Sequence, residues 1–240
     1  MENPSAPVVE TRQGALIGFT EGDTHVWCGI PYAAPPVGPW RWRSPRPPAR
    51  WDGVRPATAF SASSWQSSES CQELGGGDPG QFSEDCLYLN VWSPVARAAP
   101  LPVMVWLHGG GFTLGAGGLP PYNGRALAKR GTVVVTINYR LGHLGFFAHP
   151  ALEGEEERVV HNFALLDQIQ ALEWVRDNIA AFGGDPENIT VFGESAGARS
   201  VLSLMASPLA GGLFHKAIVQ SGYTLPDTPR EQAMHKGEAI

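Results

Sequence analysis

One stretch constrains the chain more than any other: Val191-Phe192-Gly193-Glu194-Ser195-Ala196-Gly197. Apolar β-type residues at 189–192 run into Gly-Glu-Ser-Ala-Gly, and a helical pattern begins at about Ala196. A G-x-S-x-G turn between a strand and a helix lifts the serine hydroxyl above a sheet, exposed for attack on a carbonyl. Gly193 and Gly197 lack a Cβ, so strand and helix can close around one strained residue. The helix that follows aims free N–H groups and its positive dipole end at the place where negative charge would develop. Alone the pentapeptide is a weak signal, because a glycine-rich β–α turn with an idle serine has the same letters. The flanking context has to decide.

That context alternates strands with helices. Residues 8–19 alternate apolar and polar around Gly14, which predicts a β-hairpin. Residues 25–30 predict a further strand. Residues 31–56 are Pro-rich, with Trp40, Trp42 and Trp51 interleaved, and read as an irregular loop pinned by its aromatics. Residues 61–85 read as a long Ser/Gly/Glu loop. Strands are expected at 86–92, 101–107 and 132–137, the last a β-branched run of the kind buried in parallel sheets. Across 162–182, Phe163, Leu166, Ile169, Leu172, Val175, Ile179 and Phe182 mark one buried face of a helix. It stops at Gly183-Gly184, with Asp185-Pro186 beyond. A strand at 189–192, a helix at about 196–206, a strand near 217–220 and the start of a helix in 228–240 complete the pattern. Such alternation implies a parallel sheet with helices on its faces.

Composition removes several function classes. The 240 residues carry a net charge of −6 and no basic run, so nucleic acid is not an expected partner. No apolar run approaches the ~18–20 residues of a membrane span. The first residues show neither a basic head nor an apolar stretch, so a cytoplasmic protein is expected, with secretion the alternative. Three cysteines are too few for a disulfide scaffold. Cys71 and Cys86 could close a short loop in an oxidising compartment, leaving Cys28 unpaired; reduced thiols are equally compatible. No His/Cys/Asp cluster has metal-ligand spacing and no phosphate-cradling loop occurs, so no cofactor is expected.

A second constellation, His108-Gly109-Gly110-Gly111-Phe112, directly follows the strand at 101–107. Consecutive glycines let backbone N–H groups face one point without obstruction, as an oxyanion hole requires. Gly110 and Gly111 would supply two donors, and Ala196 a third. Losing one such donor typically costs about 3–4 kcal/mol of transition-state stabilisation. A triple glycine alone is a common flexible turn; placed roughly 85 residues before Ser195, it is specific.

With these residues in view the chain resembles the type-B carboxylesterase family, the α/β-hydrolases that include cholinesterases and bacterial para-nitrobenzyl esterases. The matching stretches are Gly29-Ile-Pro-Tyr-Ala33, Glu84-Asp-Cys-Leu-Tyr-Leu-Asn90, Val105-Trp-Leu-His-Gly-Gly-Gly-Phe112 and Asn138-Tyr-Arg-Leu-Gly142, then 162–168, 174–186 and 192–197. The resemblance implies Ser195 as nucleophile, Gly110, Gly111 and Ala196 as oxyanion hole, a small-molecule ester substrate and no cofactor. It implies that Cys71 and Cys86 match the family's first disulfide, and that Arg41–Glu84 and Arg140–Asp167 are structural ion pairs. Glu194 is expected to lie buried beside the site and shape its field rather than act as base. Residues 1–240 are then the N-terminal portion of one α/β-hydrolase domain. It would have a central, mostly parallel sheet with helices on both faces, an N-terminal β-hairpin, and truncation after the strand that follows the nucleophile helix.

Two departures stand out. Arg199, four residues after Ser195, replaces the small or apolar residue usual in the family; it would line the acyl side of the pocket or, the preferred expectation, turn to solvent. Family members are also about twice as long, and their triad acid and histidine come later in the order Ser…Asp/Glu…His. Asp227 and His235 follow in that order, but eight residues apart on one incipient helix they are poorly placed for a triad. His108 and His161 are expected to serve structure. Trp27, Trp40, Trp65 and Phe112 suit an apolar gorge. Two functions remain open: ester hydrolysis through an acyl-enzyme, or an inactive truncated or binding homologue. A missing sheet half would expose an apolar edge able to associate with another chain.

Overall fold

The computed structural model describes residues 6–153, 161–223 and 228–240. Its strands are β1 (Val8–Glu10), β2 (Ala15–Ile17), β3 (Phe19–Glu21), β4 (Thr24–Pro31), β5 (Val54–Pro56), β6 (Tyr88–Pro94), β7 (Leu101–Leu107), β8 (Val133–Ile137), β9 (Gly184–Glu194) and β10 (Lys216–Gln220). Its helices are α1 (Ser68–Glu73), α2 (Arg125–Ala128), α3 (Gly142–Phe146), α4 (Phe163–Asn178), α5 (Ala196–Ala206) and α6 (Arg230–Glu238).

The expected hairpin is β1–β2; β5 joins it in parallel to make a small three-stranded sheet. The main sheet has the order β10-β9-β7-β8-β6-β4-β3. It is parallel from β10 to β8, the half that carries the serine turn, and antiparallel from β6 to β3. Every residue of β8 is buried, as its unbroken Val-Val-Val-Thr-Ile predicts for a central parallel strand. Alternation along β7 and β9 sends Val103, Val105, Leu107, Ile189 and Val191 into the main core with Leu172 and Val175 of α4 and Val201 and Leu204 of α5. Val134 and Trp92 point to the other face, where Ala128 of α2 covers them. Helices therefore lie on both faces.

Three local expectations need correction. The Pro-rich segment 31–56 is not wholly irregular: it holds a 3₁₀ turn at Gly38–Trp40, started by Pro39, and the short edge strand β5. The loop 61–85 holds α1, capped by the Ser67 side chain accepting from the Ser70 amide. The strand expected at 189–192 starts earlier, so Asp185-Pro186, beyond the helix as expected, lies within β9. There Asp185 Oδ1 accepts the Glu187 amide at 2.9 Å, and the β7–β9 register shifts between Leu101 and Val103, so the strand opens irregularly. The long helix ends in a 3₁₀ turn at Ile179–Phe182, closed by Gly183 at φ +84°.

The strand β10 is the exception to burial in the parallel half. It forms the sheet's edge, and Ile218 (42 %) and Val219 (39 %) are exposed although they point to opposite faces.

Candidate active site

The β7–β9 register pairs Trp106 with Phe192 and Leu107 with Gly193. The glycine loop and the serine turn thus leave side by side from the carboxyl ends of adjacent parallel strands. Ser195 sits at the N-cap of α5 with φ 53° and ψ −117°, a region a non-glycine residue occupies only when its surroundings force it. The forcing groups are visible. A Cβ on Gly197 would lie 2.0 Å from the Leu107 carbonyl oxygen, and one on Gly193 would lie 2.5 Å from the Gly197 carbonyl carbon. The Ser195 amide donates to the Gln220 carbonyl at 3.0 Å, so β10 braces the turn from its other side.

The glycine loop touches this turn. A Cβ on Gly109 would stand 2.8 Å from Glu194 Oε2 and 3.3 Å from Ser195 Cβ. Gly110 (φ +103°) turns its carbonyl into the loop, where it accepts the Thr113 and Leu114 amides, both at 3.0 Å. Among the described residues the Gly110 and Gly111 amides donate to no backbone acceptor. The Ala196 amide, first in α5, has no acceptor within its helix. Ser195, Glu194 and Gly109 to Gly111 line one pocket of about 420 Å3, with Cys71, Leu119 and Tyr122 on its walls.

No described histidine lines that pocket. His108 is fully buried; its Nδ1 lies 2.8 Å from the Gly109 carbonyl and its ring stacks on Tyr139 at 4.3 Å. Burial holds the imidazole down to about 4, so it is neutral at pH 7 and fits the structural role expected of it. His161 precedes α4, edge-on to Phe163. His235 is exposed on α6, and Asp227 lies outside the described residues. No group of three or more His, Cys, Asp or Glu among the described residues could hold a metal ion.

Several placements differ from expectation. Glu194 is exposed, not buried: it lines the pocket beside the serine, with Oε2 next to Gly109. Arg199 is half-buried rather than solvated: it lines a second cavity of about 600 Å3 with Phe112, His161 and Lys236, one wall of which is the edge-on pair Phe112–Phe146. Of the four aromatics that would suit a gorge, whose facing the sequence left open, Trp27 belongs to the core against Phe182, Trp40 is stacked under Arg46, and Trp65 is exposed against Phe82. Phe112 follows the glycine loop in the chain but lines the second cavity.

Cys71 and Cys86 are both free thiols, as is Cys28, the second of the two states the sequence left open. The two face different surroundings: Cys71 packs on Gly76 and Gly115 at the pocket wall, and Cys86 is fully buried near Ser64 and Asp167. Burial pushes the Cys86 thiol up to about 12. Both expected ion pairs are present. Arg41 binds Glu84 through two bonds of 2.7 Å in partial exposure, and Arg140 binds Asp167 at 2.6 and 2.8 Å inside the core. Sequence reasoning missed Gln66, Gly115 and Tyr139, which hold the glycine loop from behind. Tyr139 lies in a stretch that was singled out, but its hydroxyl bond to the His108 carbonyl at 2.7 Å has no sequence signal.

A strained serine between β9 and α5, beside a glycine loop from β7, on a mixed sheet covered by helices, defines the α/β-hydrolase class. Within that class the chain belongs to the carboxylesterase family, whose model matches residues 5–238. It is 52% identical over 234 residues to the para-nitrobenzyl esterase of Bacillus subtilis (strain 168), covering 97% of this chain and 47% of that protein. It is 51% identical over 217 residues to the fumonisin B1 esterase of Sphingopyxis macrogoltabida, covering 89% and 39%. Among solved structures, a thermophilic PNB esterase superposes with a TM-score of 0.91 at 48% identity, over 98% of this chain and 48% of its own. A Geobacillus stearothermophilus carboxylesterase gives 0.87 at 49% identity, over 96% and 47%. The chain thus spans about half the length of the relatives it matches. No helix among the described residues is long and apolar enough to cross a membrane.

Proposed function

We propose that the chain carries the nucleophile and oxyanion hole of a serine carboxylic ester hydrolase. Ser195 attacks the carbonyl of a small ester held in the 420 Å3 pocket. The Gly110, Gly111 and Ala196 amides stabilise the tetrahedral oxyanion, the acyl C–O bond breaks and the alcohol leaves as the acyl-enzyme forms, and water hydrolyses it to the acid and free serine. The observation that supports this reading is the packing of Gly109 against Ser195, which brings the glycine loop against a strained serine. The chemistry needs no cofactor. Residues 1–240 act as the N-terminal portion of one catalytic domain, and the histidine and acid come from polypeptide beyond it. Three free thiols favour a reducing, cytoplasmic setting.

An oxyanion hole without its triad partners can retain ~10³–10⁴-fold catalysis over water. Slow labelling by a fluorophosphonate is therefore expected, confined to Ser195 and absent from Ser195→Ala, with para-nitrophenyl acetate turnover lost in the same variant. A folded chain that is never labelled would support the second reading, an inactive truncated or binding homologue.

We also propose that the β10 edge is where another polypeptide associates. Ile218, Val219 and the α5 residues Leu202 and Met205 form an exposed apolar border along an unpaired strand. The expected result by sedimentation is an associated species, shifted toward monomer in Ile218→Lys. A wild-type chain that is monomeric at every concentration and binds no second polypeptide refutes it.

A further inference from the structure

Behind the glycine loop lies a contact that neither the motifs nor the reaction call for. Gln66, from the segment before α1, donates from Nε2 to the Gly115 carbonyl at 2.9 Å, and its Oε1 accepts the Gly115 amide at 2.7 Å. One side chain thus makes the two bonds that a neighbouring strand would make. The same Nε2 donates to the Ser64 carbonyl at 3.1 Å, while Ser64 Oγ accepts the Leu141 amide at 3.1 Å, so the clamp is tied to the segment between β8 and α3.

The position it holds matters. Gly115 has φ +110°, and a Cβ there would lie 2.3 Å from His108 Nδ1 and 2.8 Å from the Gly109 carbonyl oxygen. It stands directly behind the residues that enter the loop. Ahead of it, the Thr113 and Leu114 amides close the turn onto the Gly110 carbonyl. Moving Gly115 therefore moves both legs of the turn that presents the Gly110 and Gly111 amides.

We propose that Gln66 is a positioning residue: its carboxamide fixes Gly115 and, through it, the distance of the Gly110 and Gly111 amides from Ser195. The role in chemistry rests on the ester-hydrolase reading above; the clamp itself rests on the hydrogen bonds. Donors aimed at a developing charge lose effect when they drift, because stabilisation depends on their being placed before the charge forms.

Gln66→Ala separates the two. Fluorophosphonate labelling of Ser195 is resolved into reversible binding and the covalent step, and amide exchange of residues 109–115 is followed by mass spectrometry. The covalent rate is expected to fall about tenfold with binding changed less than about twofold, short of the ~10²–10³ lost when a donor is removed outright. Exchange across 109–115 is expected to rise at least about tenfold while α4 stays protected, since an opened loop exchanges by local unfolding. Unchanged exchange in 109–115, or a labelling loss carried by binding alone, overturns the proposal. If the wild-type chain is never labelled, the ester reading fails, and the exchange comparison still decides whether Gln66 holds the loop.

Discussion

Asp167→Ala is expected to lower stability by about 3–5 kcal/mol, read as the shift of the urea midpoint. Arg140 and Asp167 are 2% and 0% exposed, and Asp167 accepts three bonds from Arg140: two from the guanidinium and one from its backbone amide at 3.1 Å. The pair ties the loop after β8 to α4, with Tyr32 and Cys86 close by. Deleting the carboxylate leaves a guanidinium in the core with no counter-charge, and desolvation makes that costly. A domain has only about 5–15 kcal/mol in total, so the variant should be largely unfolded at modest urea. Replacing both partners by apolar residues, Arg140→Met with Asp167→Leu, is expected to recover much of the loss, because no buried charge then remains. Glu84→Ala, at the partly exposed Arg41 pair, should cost no more than about 1 kcal/mol. Equal losses from Asp167→Ala and Glu84→Ala would show that burial is not what makes the first pair matter.

Gly197→Ala is expected to remove Ser195 labelling by at least about a hundredfold and to lower the melting temperature. The added methyl would sit 2.0 Å from the Leu107 carbonyl oxygen and 2.9 Å from that of His108, both backbone atoms at the mouth of the glycine loop. No rotamer relieves a clash with backbone. Either α5 retreats from β7, carrying Ser195 and the Ala196 amide out of line, or the end of β7 shifts. Overpacking usually costs 1–3 kcal/mol where side chains can adjust, and here about 3 kcal/mol or more is expected because they cannot. The contrasting site is Gly211, where a Cβ meets only the Pro208 carbonyl oxygen at 3.3 Å; Gly211→Ala should keep labelling within about twofold. Gly197→Ala with wild-type labelling and stability would mean that the serine turn does not depend on this close approach.

Much of the site was legible because its elements are local. β7 and α5 have the boundaries that alternation and helical periodicity predict. Gly193, Ser195 and Gly197 do what a serine turn demands at those places. Asp185-Pro186 marked the end of the long helix correctly, but the expected strand at 189–192 began too late, because a strand whose register shifts against its neighbour can contain that pair. Glu194 misled for a different reason. Whether a residue beside the nucleophile is buried depends on what packs over the pocket, and its neighbours in the chain do not tell. The same holds for Trp40 and Trp65, aromatics that face Arg46 and Phe82 rather than the serine.

Periodicity and the steric freedom of glycine act over a few residues, so the amino-acid order alone determined the strand–turn–helix units and the presence of the glycine loop and the serine turn. Those forces say nothing about partners far along the chain. Pairing Leu107 with Gly193, setting Gln66 against Gly115 across 49 residues, and burying Arg140 with Asp167 required the strands to find their neighbours first. Tertiary structure decided these contacts, and with them which side chains lie at the serine, because distance in space is set by packing and register.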